Sequence, residues 1–134
     1  MKIEHIALWT PDLERLRAFY ERYFGARAGD PYDNPIKQFR SYFLRFESGA
    51  RLELMHRPGL TFDPARDAPH VGFAHVAIVV GDEAAVDALA ERMRGDGHPV
   101  IDGPRRTGDG YYEAVVLDPD GNRVELTAHA IPSG

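Results

Sequence analysis

Two histidines and two glutamates in this chain have the residue types and the spacing to hold a divalent metal ion. His5 stands in "EHIAL" and His75 in "AHVAI", 70 residues later; Glu53 stands in "RLEL" and Glu125 in "RVEL", 72 residues later. In a strand, alternate side chains point to opposite faces. Glu53 therefore faces away from Leu52 and Leu54, and Glu125 away from Val124 and Leu126. His5 likewise opposes Ile6 and Leu8, and His75 opposes Val76 and Ile78. The chain has no cysteine, so any metal must take imidazole, carboxylate and water, a donor set suited to Ni, Zn, Co, Mn or Fe in the divalent state. Taken singly, a histidine at a strand start is more often a hydrogen-bonded structural residue, and a strand glutamate more often a solvated one. The pairing in matched register and on matched faces is what favours a metal site over two incidental ones.

The elements needed to position these residues are written twice. "KIEHIALW" (residues 2–9) alternates as a strand. Thr10 offers a cap and Pro11 a first helical position, and Leu13, Leu16, Phe19, Tyr20, Tyr23 and Phe24 recur at helical spacing before Gly25. "QFRSYFLRF" (38–46) and "RLELMH" (51–56) flank the turn-forming "ESGA" as a hairpin. After the proline-rich stretch 57–71 the order repeats. "FAHVAIVV" (73–80) reads as a strand, Asp82 caps a helix carrying Val86, Leu89 and Met93, and that helix ends at Gly95 or Gly97. "YYEAVVL" (111–117) and "NRVELT" (122–127) then flank the turn "DPDG". The expected organisation is one domain over residues 1–134, with a first module at 1–57, a linker at 58–71 and a second module at 72–130. Each module has one helix and four short strands, too little to bury its sheet alone.

Composition narrows the function classes. With 43% hydrophobic residues the chain can bury a core. Its net charge of −5, without a basic stripe, argues against a nucleic-acid partner, whose binding depends on neutralising phosphates. No run approaches the roughly 20 apolar residues of a membrane span. The amino terminus lacks a basic-then-apolar leader pattern, so a cytoplasmic location and no membrane partner are expected. A small molecule is the expected partner.

"IEHIALWTPDLERLRAFYERYFG", "RLELM", "DPDGNRVEL" and the His-Glu-His-Glu order together resemble the vicinal oxygen chelate superfamily, in its glyoxalase I, bleomycin resistance protein and dioxygenase branches. The likeness spans both modules. It implies an α+β fold of two tandem βαβββ modules forming a cupped mixed sheet around a divalent metal, with His5, Glu53, His75 and Glu125 at the ligand positions. It also implies a homodimer whose site is shared between chains. The activity it implies is that of a glyoxalase I-type lyase/isomerase: a substrate with vicinal oxygens displaces metal-bound water, and a ligand-shell glutamate moves a proton between adjacent carbons through an enediolate. By match to the family, Glu125 is the first candidate for that base, with Glu53 its counterpart.

The same superfamily holds thioester epimerases and non-catalytic drug-binding proteins of the bleomycin-resistance kind, and both stay open as alternatives. Glutathione or another thiol is the cofactor of some relatives. In glutathione-using relatives an arginine in the first strand and polar residues after the first ligand strand help hold the tripeptide; here Trp9 stands where a polar group is expected and "ELMHRPG" offers His56 and Arg57, which argues against glutathione without touching the metal. Trp9, Arg40, Tyr42 and Tyr112 are candidates for a substrate pocket, since aromatic rings could line a groove and an arginine could meet an anion. Arg51 and Arg123 share that reading, although strand arginines more often pair with glutamates across the sheet. His56, His70, His98 and His129 read as surface or loop residues.

Overall fold

The computed structural model describes residues 1–129 and divides the chain into two compact units, with the boundary between Ala68 and Pro69. That boundary falls in a segment without helix or strand, residues 57–75. The expected end of the second module at residue 130 lies outside the described residues.

The first unit runs β1 (His5–Trp9), α1 (Leu13–Phe24), β2 (Arg27–Ala28), β3 (Tyr32–Asn34), β4 (Phe39–Arg45) and β5 (Arg51–His56). Its sheet is mixed: β1 lies parallel to β5, β5 antiparallel to β4, and β2 and β3 both pair antiparallel with β4. Leu13, Leu16, Phe19, Tyr20 and Tyr23 form the buried stripe of α1, packed on Tyr42, Leu44, Leu52 and Leu54 from the sheet. The helix starts two residues later than expected. Asp12, not Thr10, is its cap, accepting from the Arg15 N–H at 3.0 Å. Thr10 is fully buried, and its hydroxyl accepts from the Asp12 N–H at 3.2 Å, so it braces the approach to the helix instead of capping it. At the far end Gly25 takes the left-handed conformation, φ 63°, that a C-terminal stop requires.

The second unit runs β6 (Val76–Gly81), α2 (Glu83–Gly95), β7 (Val100–Arg106), β8 (Tyr112–Leu117) and β9 (Arg123–Ala128). The pairing repeats that of the first: β6 parallel to β9, β9 antiparallel to β8, β8 antiparallel to β7. Asp82 caps α2 by accepting from the Ala85 N–H at 2.9 Å. Gly81 just before it has φ 141°, and a Cβ there would lie 2.8 Å from the Ala85 methyl, so the tight strand-to-helix corner demands glycine. Val86, Ala90 and Met93 pack on Ala114, Val116, Val124 and Leu126. In the "DPDG" turn the buried Asp118 carboxylate accepts from the Asp120 N–H (3.0 Å), the Asn122 N–H (2.9 Å) and the Asn122 side chain (2.8 Å). This network sets the register with which β9 returns along β8.

Two helices, each laid on one face of a mixed sheet, make an α+β architecture of two like modules. Burying a helix stripe against one sheet face leaves the other face of each sheet for the residues of opposite parity.

Candidate metal centre

On the helix-free face of the first sheet the registers define three successive rows. His5 pairs with Arg51; Ala7 pairs with Glu53, which pairs with Phe43; Trp9 pairs with Met55, then Ser41, then Tyr32. His5 reaches diagonally from its row to the next, placing Nε2 3.7 Å from Glu53 Oε1. Its ring meets Phe43 edge-on at 5.2 Å between centroids, and its Nδ1 lies 3.3 Å from Glu4 Oε1. Arg51 is tied to Glu4 and lies over the Phe43 ring at 4.1 Å. Arg51 thus answers the cross-sheet glutamate pairing and is not free for an anion. That pairing holds the Glu4 carboxyl below its ordinary range.

The second unit builds the same pair. His75, immediately before β6, places Nε2 3.2 Å from Glu125 Oε1. Glu125 pairs with Ala77 on one side and Val115 on the other, as Glu53 does with Ala7 and Phe43. In both units the carboxylate is mostly covered, with side-chain exposures of 16% for Glu53 and 21% for Glu125. The imidazoles are more open, at 39% and 41%. An imidazole and a carboxylate on one face, each with an accessible donor atom, fit half of the N/O set that a divalent ion of the Zn or Ni kind takes. Among the described residues no three His, Asp or Glu side chains gather into a complete site.

A third carboxyl on this face of the second unit escaped the sequence reading. Glu113, paired with Thr127 on β9, shares the face of Glu125. Burial first, then its hydrogen bond with the Glu125 carboxylate and the charge there, push the Glu113 carboxyl above its ordinary range, against the pull of Arg105. The alternation of "YYEAVVL" contains the signal: Glu113 is opposite in parity to the buried Ala114 and Val116.

The expected pocket residues separate by face. Trp9 lies on the face of His5 and Glu53, 45% exposed. Tyr42 lies on the helix face: it is buried, its hydroxyl donates to Glu14 at 2.7 Å on α1, and its register partner is Leu54. Arg40 shares that parity, its guanidinium 5.9 Å from the Tyr42 ring. Tyr112 reaches from the helix face of the second sheet to donate to Asp87 on α2. Tyr42 and Tyr112 therefore brace helix to sheet, and all three stand on the face opposite the glutamates. His56 also differs from expectation. It closes β5 half-buried, with Nδ1 2.9 Å from the Thr10 carbonyl oxygen.

A family model described as the Glyoxalase/Bleomycin resistance protein/Dioxygenase superfamily matches residues 2–126. The chain belongs to that superfamily. Within it the chain is 32% identical to a lactoylglutathione lyase of Haemophilus influenzae, over 94% of this chain and 91% of that protein. It is 33% identical to an ethylmalonyl-CoA/methylmalonyl-CoA epimerase of Cereibacter sphaeroides, over 75% of this chain and 79% of that one. Among solved structures, the Leishmania major glyoxalase I, described as trypanothione-dependent, superposes with a TM-score of 0.74 at 27% identity, covering 96% of this chain and 86% of that one. The superfamily fold, two tandem βαβββ modules, is the one observed here. Relatives of this kind make enzymatic activity the coarse expectation. Among the described residues no helix is long and apolar enough to cross a membrane.

Proposed function

We propose that the protein is a metal-dependent lyase/isomerase of the glyoxalase I type, in which His5, Glu53, His75 and Glu125 together hold one divalent ion. The observation that carries this reading is the repeated imidazole–carboxylate pair, 3.7 Å apart in one unit and 3.2 Å in the other, at matched register and on the helix-free face each time. A structural histidine needs one partner in one place; nothing in fold stability demands that the same pair be written twice. The likeness to lactoylglutathione lyases over nearly the whole chain supports the reaction class.

A divalent ion in such a site supplies Lewis acidity toward two neighbouring substrate oxygens. The chain's own groups then have defined tasks. Glu125 accepts a proton from one carbon and returns it to the next, its carboxylate oriented by the His75 imidazole. Glu53 and His5 are the equivalent pair on the first unit and complete the donor set. In a homodimer, the pair from the first unit of one chain would meet the pair from the second unit of the other.

Purified protein is expected to carry one divalent ion per site, to lose turnover of a hemithioacetal when stripped by chelator, and to recover it on adding nickel or zinc. Protein that is metal-free, indifferent to chelator and inactive would return the reading to a drug-binding role. A second reading, epimerisation beside a thioester carbonyl, is favoured by the acyl-CoA epimerase relative and by Trp9 where a polar group for the tripeptide is expected. It uses the same metal and the same glutamates. Turnover of methylmalonyl-CoA with none of the hemithioacetal would select it.

A further inference from the structure

The third row of the first unit's helix-free face is unlike anything else on that sheet. Trp9 and Tyr32 stand in it, and Phe39, one row further on and opposite Asn34, joins them in a run of rings. Phe39 meets Trp9 edge-on at 6.1 Å, with an interplanar angle of 88°, and Tyr32 at 6.1 Å. Trp9 and Tyr32 remain 45% and 56% exposed. Arg57, just beyond β5, lies over the Trp9 ring at 5.0 Å. Among the described residues Arg57 has this aromatic partner and no carboxylate one, in contrast to Arg51, which is tied to Glu4. Single exposed rings are ordinary on protein surfaces, but contiguous ones beside an uncompensated cation mark a binding surface.

Position gives the run its meaning. Trp9 pairs with Met55, two residues from Glu53 on the same strand and face. The shelf therefore begins about 7 Å along the strand from the proposed ligand carboxylate, at two residues of strand rise. The equivalent row of the second unit is Val79, Thr127, Glu113 and Arg105, without a ring and with its one cation tied to Asp102 at 3.0 Å. A substrate reacting at the glutamates would thus find a place for its remote arm on the first unit.

We propose that Trp9, Phe39, Tyr32 and Arg57 form the subsite for the substrate's remote arm, and that this subsite selects a planar ring bearing an anionic group. The proposal rests on the metal-centre reading for what happens at the other end of the substrate, but the shelf binds such an arm whether or not metal is present. Rings stack or meet edge-to-face on Trp9 and Phe39, while the carboxylate or phosphate pairs with Arg57. Two sources share this chemistry: an aryl carboxylate, and the base and phosphate of a nucleotide handle such as that of an acyl-CoA.

Trp9 is the chain's single tryptophan, so its fluorescence reports on the shelf directly. Metal-free protein would be titrated with 3-phenylpropionate and with adenosine 3′,5′-bisphosphate, and with butyrate and 2-phenylethylamine as probes lacking the ring or the anion. At least one ring-bearing anion should give a saturable change, with both controls weaker by roughly fivefold or more. The tighter of the two anions identifies the source. Arg57→Gln should weaken the same anion by roughly fivefold. Trp9→Leu, followed by calorimetry, should weaken it by roughly tenfold. The proposal is overturned if neither ring-bearing anion binds, if a control binds equally well, or if Arg57→Gln leaves affinity unchanged. Because the titration needs no metal, its failure is distinct from failure of the metal centre, which metal stoichiometry reads separately.

Discussion

The two units keep one side of their sheets alike and let part of the other side diverge. Toward the helix, Leu54 in the first unit and Leu126 in the second occupy the same register place, and neither is exposed. On the opposite face the row holding Glu53 or Glu125 is also alike, each glutamate beside an alanine on the parallel strand and within reach of a histidine. One row further on, the likeness stops: Trp9–Met55–Ser41–Tyr32 in the first unit corresponds to Val79–Thr127–Glu113–Arg105 in the second. The lesson is that packing against a helix and, under the proposed function, a common ligand constrain two rows, while the row beyond them is free to specialise. Under the proposed function, the shared row holds the ion and the unlike row selects the substrate.

The largest effects should come from the shared row. Glu125→Gln is expected to lower turnover by about a thousandfold and Glu53→Gln by about a hundredfold, within the usual range for removing an acid–base group, with melting temperatures little changed. Equal losses would show that the two carboxylates play equivalent roles, and no loss in either would break the comparison altogether. Next are the matched core leucines. Leu54→Ala and Leu126→Ala should each cost about 2–5 kcal/mol in denaturant unfolding, because both empty a closed site under a helix. A loss below 1 kcal/mol for one of them would show that its unit relaxes around the gap, and that the cores are less alike than their registers.

The tyrosines that brace helix to sheet should separate the units more finely. Tyr42→Phe removes the hydroxyl donated to Glu14 from a buried ring and should cost about 1 kcal/mol. Tyr112→Phe, at a more open site, should cost less. The Tyr42 hydroxyl, followed by Arg17, holds the Glu14 carboxyl below its ordinary range. A carboxyl lowered in the folded state adds stability above its unfolded value and loses it as pH falls. The Tyr42→Phe difference should therefore shrink in acid.

The smallest effect is at Glu113. Its carboxyl is raised in the folded state, so ionisation opposes folding as pH rises through and above the ordinary carboxylate range. Glu113→Gln should stabilise the protein at neutral pH, by no more than about 1 kcal/mol at this partly exposed site, and leave stability near pH 3 unchanged. A stabilisation that persisted in acid would assign the effect to packing and not to charge.

How much of this was legible in the sequence follows from what each feature depends on. The duplicated order and the faces of His5, Glu53, His75 and Glu125 depend on strand parity beside buried leucines and valines, a local property, and they could be read directly. The helix cap could not: Thr10 and Asp12 are both good capping residues, and only the burial of Thr10 against the sheet decides between them. "QFRSYFLRF" is aromatic at both parities, so the face of Tyr42 stayed hidden until α1 was in place to supply Glu14. β7 contains Gly103 and Pro104, residue types that ordinarily interrupt a strand, and the sequence alone does not assign it. It persists through two register shifts, with Gly103 at φ 74° where a Cβ would lie 2.6 Å from the Glu113 carbonyl oxygen. Glu113 itself became a candidate only through its contact with Glu125, a cross-strand relation that depends on register.

The central claim is that one ion is held by both pairs. Calorimetric titration of metal-free protein with nickel, repeated on His5→Ala, Glu53→Gln, His75→Ala and Glu125→Gln, tests it most directly. The account predicts stoichiometric binding that each of the four substitutions weakens by at least about tenfold. Binding left intact by changes in either unit would contradict it.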